Sequence, residues 1–232
     1  MSSKTYPSLN LERELWAAGH RFVIGMDEVG RGAIAGPVAV GVALIDRDGK
    51  ANSQPWPEKL CDSKLISEKV RNELLAPVSD WVEASAVGMV SAQRIDSDGI
   101  VAALAAAGAE ALRVLLEDSP LRQSIAQDGA VIILDGSHNW LGQKAMVIPV
   151  MVKTKADRDC VSVAAASVIS KVKRDNLMIH LATQHQAYGF DGHKGYASEA
   201  HIRAIHEHGP SSEHRVTWLT KILAENSTLE GI

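Results

Sequence analysis

Four carboxylates stand where local sequence alone would not require them. Asp27 and Glu28 close the apolar run RFVIGM, Asp135 closes the apolar run VIILD, and Asp157 opens a helical stretch. Strand-end acids meet when their strands are adjacent and parallel, because neighbouring strands lie about 4.8 Å apart. Asp157 is four residues before Val161 and extends that helix's core-facing phase, so it is expected to point toward the sheet. Asp159 lies about 200° round the same helix at about 100° per residue; it is expected to face solvent and is given no role. Clustered bare carboxylates repel and would have to take up protons, whereas divalent cations hold them together. An oxygen-only donor set favours Mg²⁺ or Mn²⁺ over Zn²⁺. The chemistry that fits is two-metal hydrolysis of a phosphodiester. A plainer reading stays open by spacing alone: each acid is a turn or cap residue, and Asp157 a first-turn acid favoured by the helix dipole.

Basic residues gather near these acids. Lys144, Lys153, Lys155, Arg158, Lys171, Lys173 and Arg174 fall between positions 144 and 174, with Lys155 and Arg158 flanking Asp157. Such a local patch suits a phosphate backbone, although Lys171, Lys173 and Arg174 could equally be a solvated helix face. Lys194 and Tyr196, in HKGY, pair a cation with an aromatic ring, which suits a sugar-phosphate. The nine histidines assemble no zinc motif, and HEHG at 206–209 reads as an exposed helix end. The stretch GRGAIAG after Asp27-Glu28 imitates a dinucleotide-binding turn. That turn needs a helix immediately after its glycines. Pro37 and VAVGVALI supply a strand instead, which argues against a nicotinamide-dependent dehydrogenase.

The elements that must position these groups follow from periodicity. A short helix is expected near Asn10–Ala18, then the strand RFVIGM, the glycine turn and the strand VAVGVALI, together a hairpin. Val38, Val40, Val42 and Leu44 share one face of the second strand, and Ala39, Gly41 and Ala43 form a small-residue face suited to close packing. SEKVRNELLAPV reads as a short helix, WVEASAVGMVSA as a third strand, and SDGIVAALAAAGAEALRVLLED as one long buried helix. AVIILDG and AMVIPVMV read as strands. A long helix from near Ala156 carries the stripe Val161, Ala165, Val168, Val172, Ile179 and Ala182. ASEAHIRAIHEHG is a further helix stopped by Gly209-Pro210, and the last residues read as frayed. The expected fold class is α/β: a mixed sheet with antiparallel front strands and parallel back strands, flanked by helices, with a C-terminal helical segment. The expected division is a lead-in over 1–19, a catalytic core over 20–184, a substrate-binding helical segment over 185–223 and a tail over 224–232.

Composition agrees. The chain has 232 residues, 46% of them apolar and 22% charged, which supports a folded core rather than disorder. A net charge of −4 does not by itself mark a nucleic-acid binder, but it leaves room for a local basic patch. Cys61 and Cys160 read as reduced thiols. No apolar run reaches the roughly 18 residues of a membrane span, and the expectation is a cytoplasmic protein without a membrane partner.

Taken together, DEVGRG, DSKLISEKVR, ILDG, KADRDCVSVAAASVISKVKRD and YGFDGHKGY…GPSSEHR resemble the bacterial ribonuclease HII family, in order and spacing, over roughly residues 20–218. The resemblance implies a ribonuclease H-like fold. It implies Mn²⁺- or Mg²⁺-dependent endonucleolytic cleavage of RNA paired with DNA, leaving a 3′-hydroxyl and a 5′-phosphate. It implies incision beside single ribonucleotides embedded in duplex DNA, as in ribonucleotide excision repair and primer removal. A monomer is expected, although the sequence does not itself give the oligomeric state. The family's four acids map onto Asp27, Glu28, Asp135 and Asp157, and its glycine-arginine-glycine reader of the ribose 2′-hydroxyl onto Gly30, Arg31 and Gly32. Further substrate contacts are expected at Lys64, Lys155 and Lys194, and the stacking tyrosine maps onto Tyr196, with Tyr188 the alternative. Departures from the family pattern fall at Leu65, Gly99, Ala197-Ser198 and Trp218, none of them among the four acids. Two neighbouring readings remain: a related ribonuclease H acting on hybrids without the single-ribonucleotide preference, and a non-catalytic hybrid-binding module.

Overall fold

A computed structural model describes residues 6–61, 63–142 and 147–227. Helix α1 (Asn10–Ala17) leads into strand β1 (Phe22–Val29), which turns back into β2 (Val38–Asp46) as the expected antiparallel hairpin. After helices α2 (Lys50–Ser53) and α3 (Glu68–Trp81), β3 (Ala84–Val90) pairs antiparallel with β2. Helices α4 (Ala92–Asp98), α5 (Ile100–Leu115) and α6 (Ser119–Asp128) precede β4 (Ala130–Asp135) and β5 (Val150–Lys153). The chain continues through α7 (Ala156–Asp159), α8 (Val161–Gln184), α9 (Phe190–His193), α10 (Glu199–His208) and α11 (Thr220–Ser227). The five strands lie in the order β3-β2-β1-β4-β5; β4 is parallel to both β1 and β5. This is the mixed sheet expected from the order of elements.

The two faces of β2 are divided as its alternation requires. Val38, Val40, Val42 and Leu44 enter the core shared with Leu104, Ala107, Ala111 and Leu112 of α5. The small-residue face lies under α8. A Cβ on Gly25 would sit 2.2 Å from the Ser162 carbonyl carbon, and one on Gly41 would sit 2.5 Å from the Ala166 carbonyl oxygen. Only glycine lets the long helix lie this close to the sheet. The third cluster joins Ile34 and Ala35, from the loop after β1, to Met178, Tyr188, Phe190, Ile205 and Leu219. The C-terminal helices are therefore anchored on the glycine loop itself.

Several boundaries differ from the periodic reading, each for a local reason. The stretch expected as one Ala-rich helix breaks at Gly99, whose φ of 80° separates α4 from α5. α3 runs through Pro77 to Trp81, so the third strand begins only at Ala84. α6 was not expected, although its start is marked by Asp118, which accepts the Leu121 amide, and by Pro120 in the first turn. β5 is limited to four residues; the Ala145-Met146 part of that expected strand lies outside the described residues, as does Lys144. Ile179 is 37% exposed, and Met178 is buried in its place. The tail boundary also shifts, since α11 continues to Ser227; residues 228–232 lie outside the described part.

The segment before residue 20 is more than a lead-in. Leu9, Leu15 and Trp16 are buried in the α8-side core. Glu12 is fully buried, and its Oε1 accepts the Ser162 amide at 3.0 Å and the Ser162 hydroxyl at 2.9 Å. α1 thus caps the N-terminus of a 24-residue helix from across the chain. Burial raises the Glu12 carboxyl above its ordinary pKa, while hydrogen bonds from Ser162 work in the other direction. Among the described residues no helix is long and apolar enough to cross a membrane.

Candidate functional site

The parallel pairing of β1 and β4 brings the strand-end acids together. The register runs from Phe22 opposite Ala130 to Met26 opposite Leu134, so the next step along each strand is Asp27 beside Asp135. Asp27, Glu28 and Asp135 each offer an oxygen within 4.8 Å of the others'. Asp27 is 3% exposed, and its Oδ1 accepts the Glu28 amide at 2.9 Å. Asp135 Oδ1 accepts the Ala156 amide at 2.6 Å, which ties the strand end to the first residue of α7. Glu28 Oε1 takes a 3.3 Å ion pair from Arg31, while its Oε2 is buried without a hydrogen-bond partner among the described residues. An oxygen-only cluster with a buried carboxylate oxygen left to be satisfied fits a hard divalent cation.

Asp157 stands apart from this trio. It is 5% exposed, so it turns inward as expected, but it is not among the oxygens that meet within 4.8 Å. The helical phase used to place it does not hold: the backbone is extended at Cys160 (φ −115°, ψ 129°), so α7 and α8 are separate helices. The short α7 is set instead by Lys155, whose left-handed φ of 61° is costly for a residue with a side chain. Asp159 is not turned to solvent. It is half-buried and paired with Lys153 at 3.0 Å and Arg158 at 2.9 Å, and the Arg158 hydrogen bond holds its pKa below the ordinary carboxylate range.

A cavity of about 440 Å³ opens beside the trio. Asp27 and Glu28 line one side, Gly30, Arg31 and Gly32 form its rim, and Tyr196 closes it from the C-terminal segment. Tyr196 is 38% exposed, with its ring over the Arg174 guanidinium at 5.7 Å. Tyr188 is elsewhere: it is buried, stacked on Phe190 at 5.6 Å, and donates its hydroxyl to the Gly209 carbonyl at 2.8 Å. Gly30 has φ 76°, and a Cβ there would meet Arg174 Nε at 2.1 Å. Gly32 is different, because no atom lies within 4 Å of where its Cβ would be. The fold does not require that glycine, and the open space beside it belongs to the cavity rim.

Other expected contacts are not brought into the cavity. Lys194 is 7% exposed, with its ammonium on Glu68 Oε2 at 3.3 Å and on the Asp191 carbonyl. Lys155 is exposed and does not line the cavity; it precedes Ala156, whose amide binds Asp135. The side chain of Lys64 lies outside the described part. The expected basic patch is largely neutralised or buried. Lys153 and Arg158 serve Asp159, Lys171 Nζ bonds both oxygens of Asp175 at 2.5 and 2.6 Å, and Arg174 is fully buried on carbonyls. Lys171 does line the cavity, with Ser63 and Ser167, whose hydroxyls share a 2.9 Å hydrogen bond. Burial lowers its pKa, partly offset by Asp175. Ser63 and Ser167 lie within the family-like stretches DSKLISEKVR and KADRDCVSVAAASVISKVKRD, but nothing local singled them out, since a serine beside or within a helix looks like any other.

Among the described residues the histidines join no zinc site, but they are not all exposed. His201 and His214 are buried, and their Nε2 atoms lie 3.0 Å apart. The Ser211 amide donates to His214 Nδ1, so the His214 hydrogen sits on Nε2 and points at His201 Nε2. His201 Nδ1 then donates to the Tyr196 carbonyl at 2.9 Å. A chain of neutral rings thus ends on the backbone of the cavity's tyrosine. Burial holds both rings down, to about 4.

Comparison with known proteins places these features in a family. A family model described as Ribonuclease HII matches residues 24–221. Ribonuclease HII of Streptomyces avermitilis is 41% identical over 213 residues, covering 91% of this chain and 83% of that protein. Ribonuclease HII of Roseiflexus castenholzii is 36% identical over 230 residues, covering 97% of this chain and 96% of the relative. The crystal structure of ribonuclease H2 from Pyrococcus horikoshii superposes with a TM-score of 0.69 at 24% identity, covering 89% of this chain and 99% of that one. The Bst-RNase HIII structure in complex with Mn²⁺ superposes with a TM-score of 0.65 at 21% identity, covering 92% of this chain and 71% of the other. At these identities the structural likeness bears on the fold.

Proposed function

The chain belongs to the ribonuclease HII family and is a ribonuclease H endonuclease acting on RNA–DNA hybrids, and from that premise we propose that it also incises duplex DNA on the 5′ side of single embedded ribonucleotides. The supporting observation is the cavity itself: one space is bordered by Asp27 and Glu28, by Gly30–Gly32 and by the half-exposed ring of Tyr196. A hydroxyl reader and a hydrolytic centre thus share one wall, and a single ribose can meet both.

In this reading Asp27, Glu28, Asp135 and Asp157 hold two divalent ions, Mn²⁺ or Mg²⁺. Such ions, when bound, supply an activated water and stabilise the leaving oxygen, giving 3′-hydroxyl and 5′-phosphate ends. The protein's own share is placement. Asp27 and Asp135 are fixed by strand register, and Asp135 is held further by the Ala156 amide. Arg31, already paired with Glu28, carries positive charge to the edge of the acid cluster, where a phosphate would enter. The rim amides of the glycine loop offer donors to the 2′-hydroxyl, the group that separates RNA from DNA. Tyr196 offers a flat face to the adjoining deoxyribose. Lys155 stands exposed beside the acids as a phosphate contact; Lys194 acts through the backbone it supports rather than through its ammonium.

The test is a duplex DNA carrying one ribonucleotide, incubated with the protein and Mn²⁺ or Mg²⁺, beside a continuous RNA–DNA hybrid. A nick on the 5′ side of the ribonucleotide is expected. Cleavage of the hybrid alone would reduce the protein to a hybrid-only ribonuclease H.

A further inference from the structure

Two arginines of this chain are fully buried, Arg174 of α8 and Arg215 of the C-terminal segment. Neither has a carboxylate within 4.0 Å among the described residues; both are spent on backbone carbonyls. Arg215 donates to Gly30 O at 2.6 Å, to Arg31 O at 2.8 Å, and to Gly36 O at 3.1 and 3.3 Å. Arg174 donates to Pro37 O at 2.8 Å, to Lys194 O at 3.0 Å and to Ala35 O at 3.3 Å. Between them they hold five carbonyls of the loop from Gly30 to Pro37, together with the carbonyl two residues before Tyr196. Burial depresses both guanidiniums, Arg215 to about 10, which still leaves a cation at neutral pH. A buried cation without a counter-charge is costly, and an apolar side chain would serve packing better. What the guanidinium alone can do is grip several carbonyls at fixed angles.

That grip has a direct consequence for the rim of the cavity. In a trans peptide the C=O and the following N–H point opposite ways. Holding the carbonyls of Gly30 and Arg31 on Arg215 therefore turns the amides of Arg31 and Gly32 away from it. Among the described residues no acceptor takes either amide hydrogen. Both residues line the cavity. Resting on the single-ribonucleotide reading above, we propose that Arg215 and Arg174 are positioning residues for sugar discrimination. They aim the loop's amides and the Tyr196 ring, so their geometry governs preference for an isolated ribonucleotide rather than bond cleavage itself.

Lysine keeps the charge, but a single nitrogen cannot span three carbonyls. Arg215→Lys and Arg174→Lys are therefore compared with wild type for kcat/KM on the single-ribonucleotide duplex and on a continuous hybrid, each assayed well below its own unfolding temperature. The expected result is a fall of tenfold or more in the ratio of the two, with hybrid cleavage within about threefold of wild type, because a hybrid offers many 2′-hydroxyls and an isolated ribonucleotide offers one. An unchanged ratio, or an equal loss on both substrates, overturns the proposal, as does failure of both lysine variants to fold. Gly32→Ala separates this from the underlying reading. It adds a methyl where no protein atom lies within 4 Å, so the fold is untouched while the rim is obstructed. If Gly32→Ala loses the single-ribonucleotide substrate and the lysine variants keep it, only the clamp is wrong. If Gly32→Ala keeps it, or wild type never nicks it, the reading fails and takes the clamp with it.

Discussion

Acid should unfold this protein earlier than its carboxylates alone require, because of the His201–His214 pair. The two rings are 0% and 1% exposed, and their neighbours are Tyr188, Phe190 and the His193 ring stacked on His201 at 4.2 Å. Each ring carries one hydrogen; a second on His201 would set two Nε2–H groups against each other across 3.0 Å, and a second on His214 would set its Nδ1–H against the Ser211 amide. Burial lowers both from 6.5 to about 4. With the folded pKa depressed, the unfolded chain binds more protons, so the stabilisation is complete above about pH 6.5 and is lost as pH falls toward 4. The full depression is worth about 3 kcal/mol per ring, of which about 2 kcal/mol is already gone at pH 5. Since the rings are coupled, the joint loss at pH 5 is about 2–4 kcal/mol, a large part of an ordinary domain's 5–15 kcal/mol. Urea titrations at pH 8, 7, 6 and 5 measure it directly. His214→Gln keeps an acceptor for the Ser211 amide and a donor for His201 but cannot titrate, so its loss between pH 7 and 5 should be about half that of wild type. Stability flat within about 0.5 kcal/mol over that range, or an unaltered slope in His214→Gln, would refute the assignment of neutral buried rings.

Three further outcomes are expected. Asp27→Asn and Asp135→Asn should each lower cleavage by about 10³-fold or more, the several kcal/mol that a bound cation contributes, with duplex binding largely retained; an active variant would remove that residue from the ligand set. Gly25→Ala should destabilise by about 3 kcal/mol, because its methyl meets the backbone of α8 at Ser162 rather than a movable side chain; a change under about 1 kcal/mol in chemical denaturation would mean the helix rides freely on the sheet. Tyr196→Ala and Tyr188→Phe should part company. The first should impair incision at single ribonucleotides with little change in unfolding temperature, and the second should cost about 1 kcal/mol of stability through the lost bond to Gly209 while leaving the cleavage preference intact.

Much of the site was legible in the linear order of residues. Period-2 alternation marked β2 and short apolar runs marked β1 and β4, and an acid closing an apolar strand is conspicuous, so Asp27, Glu28 and Asp135 could be selected before their proximity was visible. The small-residue face of β2 likewise announced close packing, which α8 supplies. These are local signals, carried by neighbours a few residues apart. Backbone breaks were harder, because Gly99 and Cys160 interrupt helices that periodicity joins, and Asp157 reached its buried place by a different route from the helical phase that suggested it. Electrostatic roles were least legible. Lys194, Arg174 and Lys171 look alike as basic residues in a string, yet one turns its ammonium onto Glu68, one grips carbonyls and one pairs with Asp175 beside the cavity. Which partner a long cationic side chain finds depends on groups up to 185 positions away, as in the Arg215–Gly30 bond. Strand register and burial decide such pairings, and they exist only once the chain is folded.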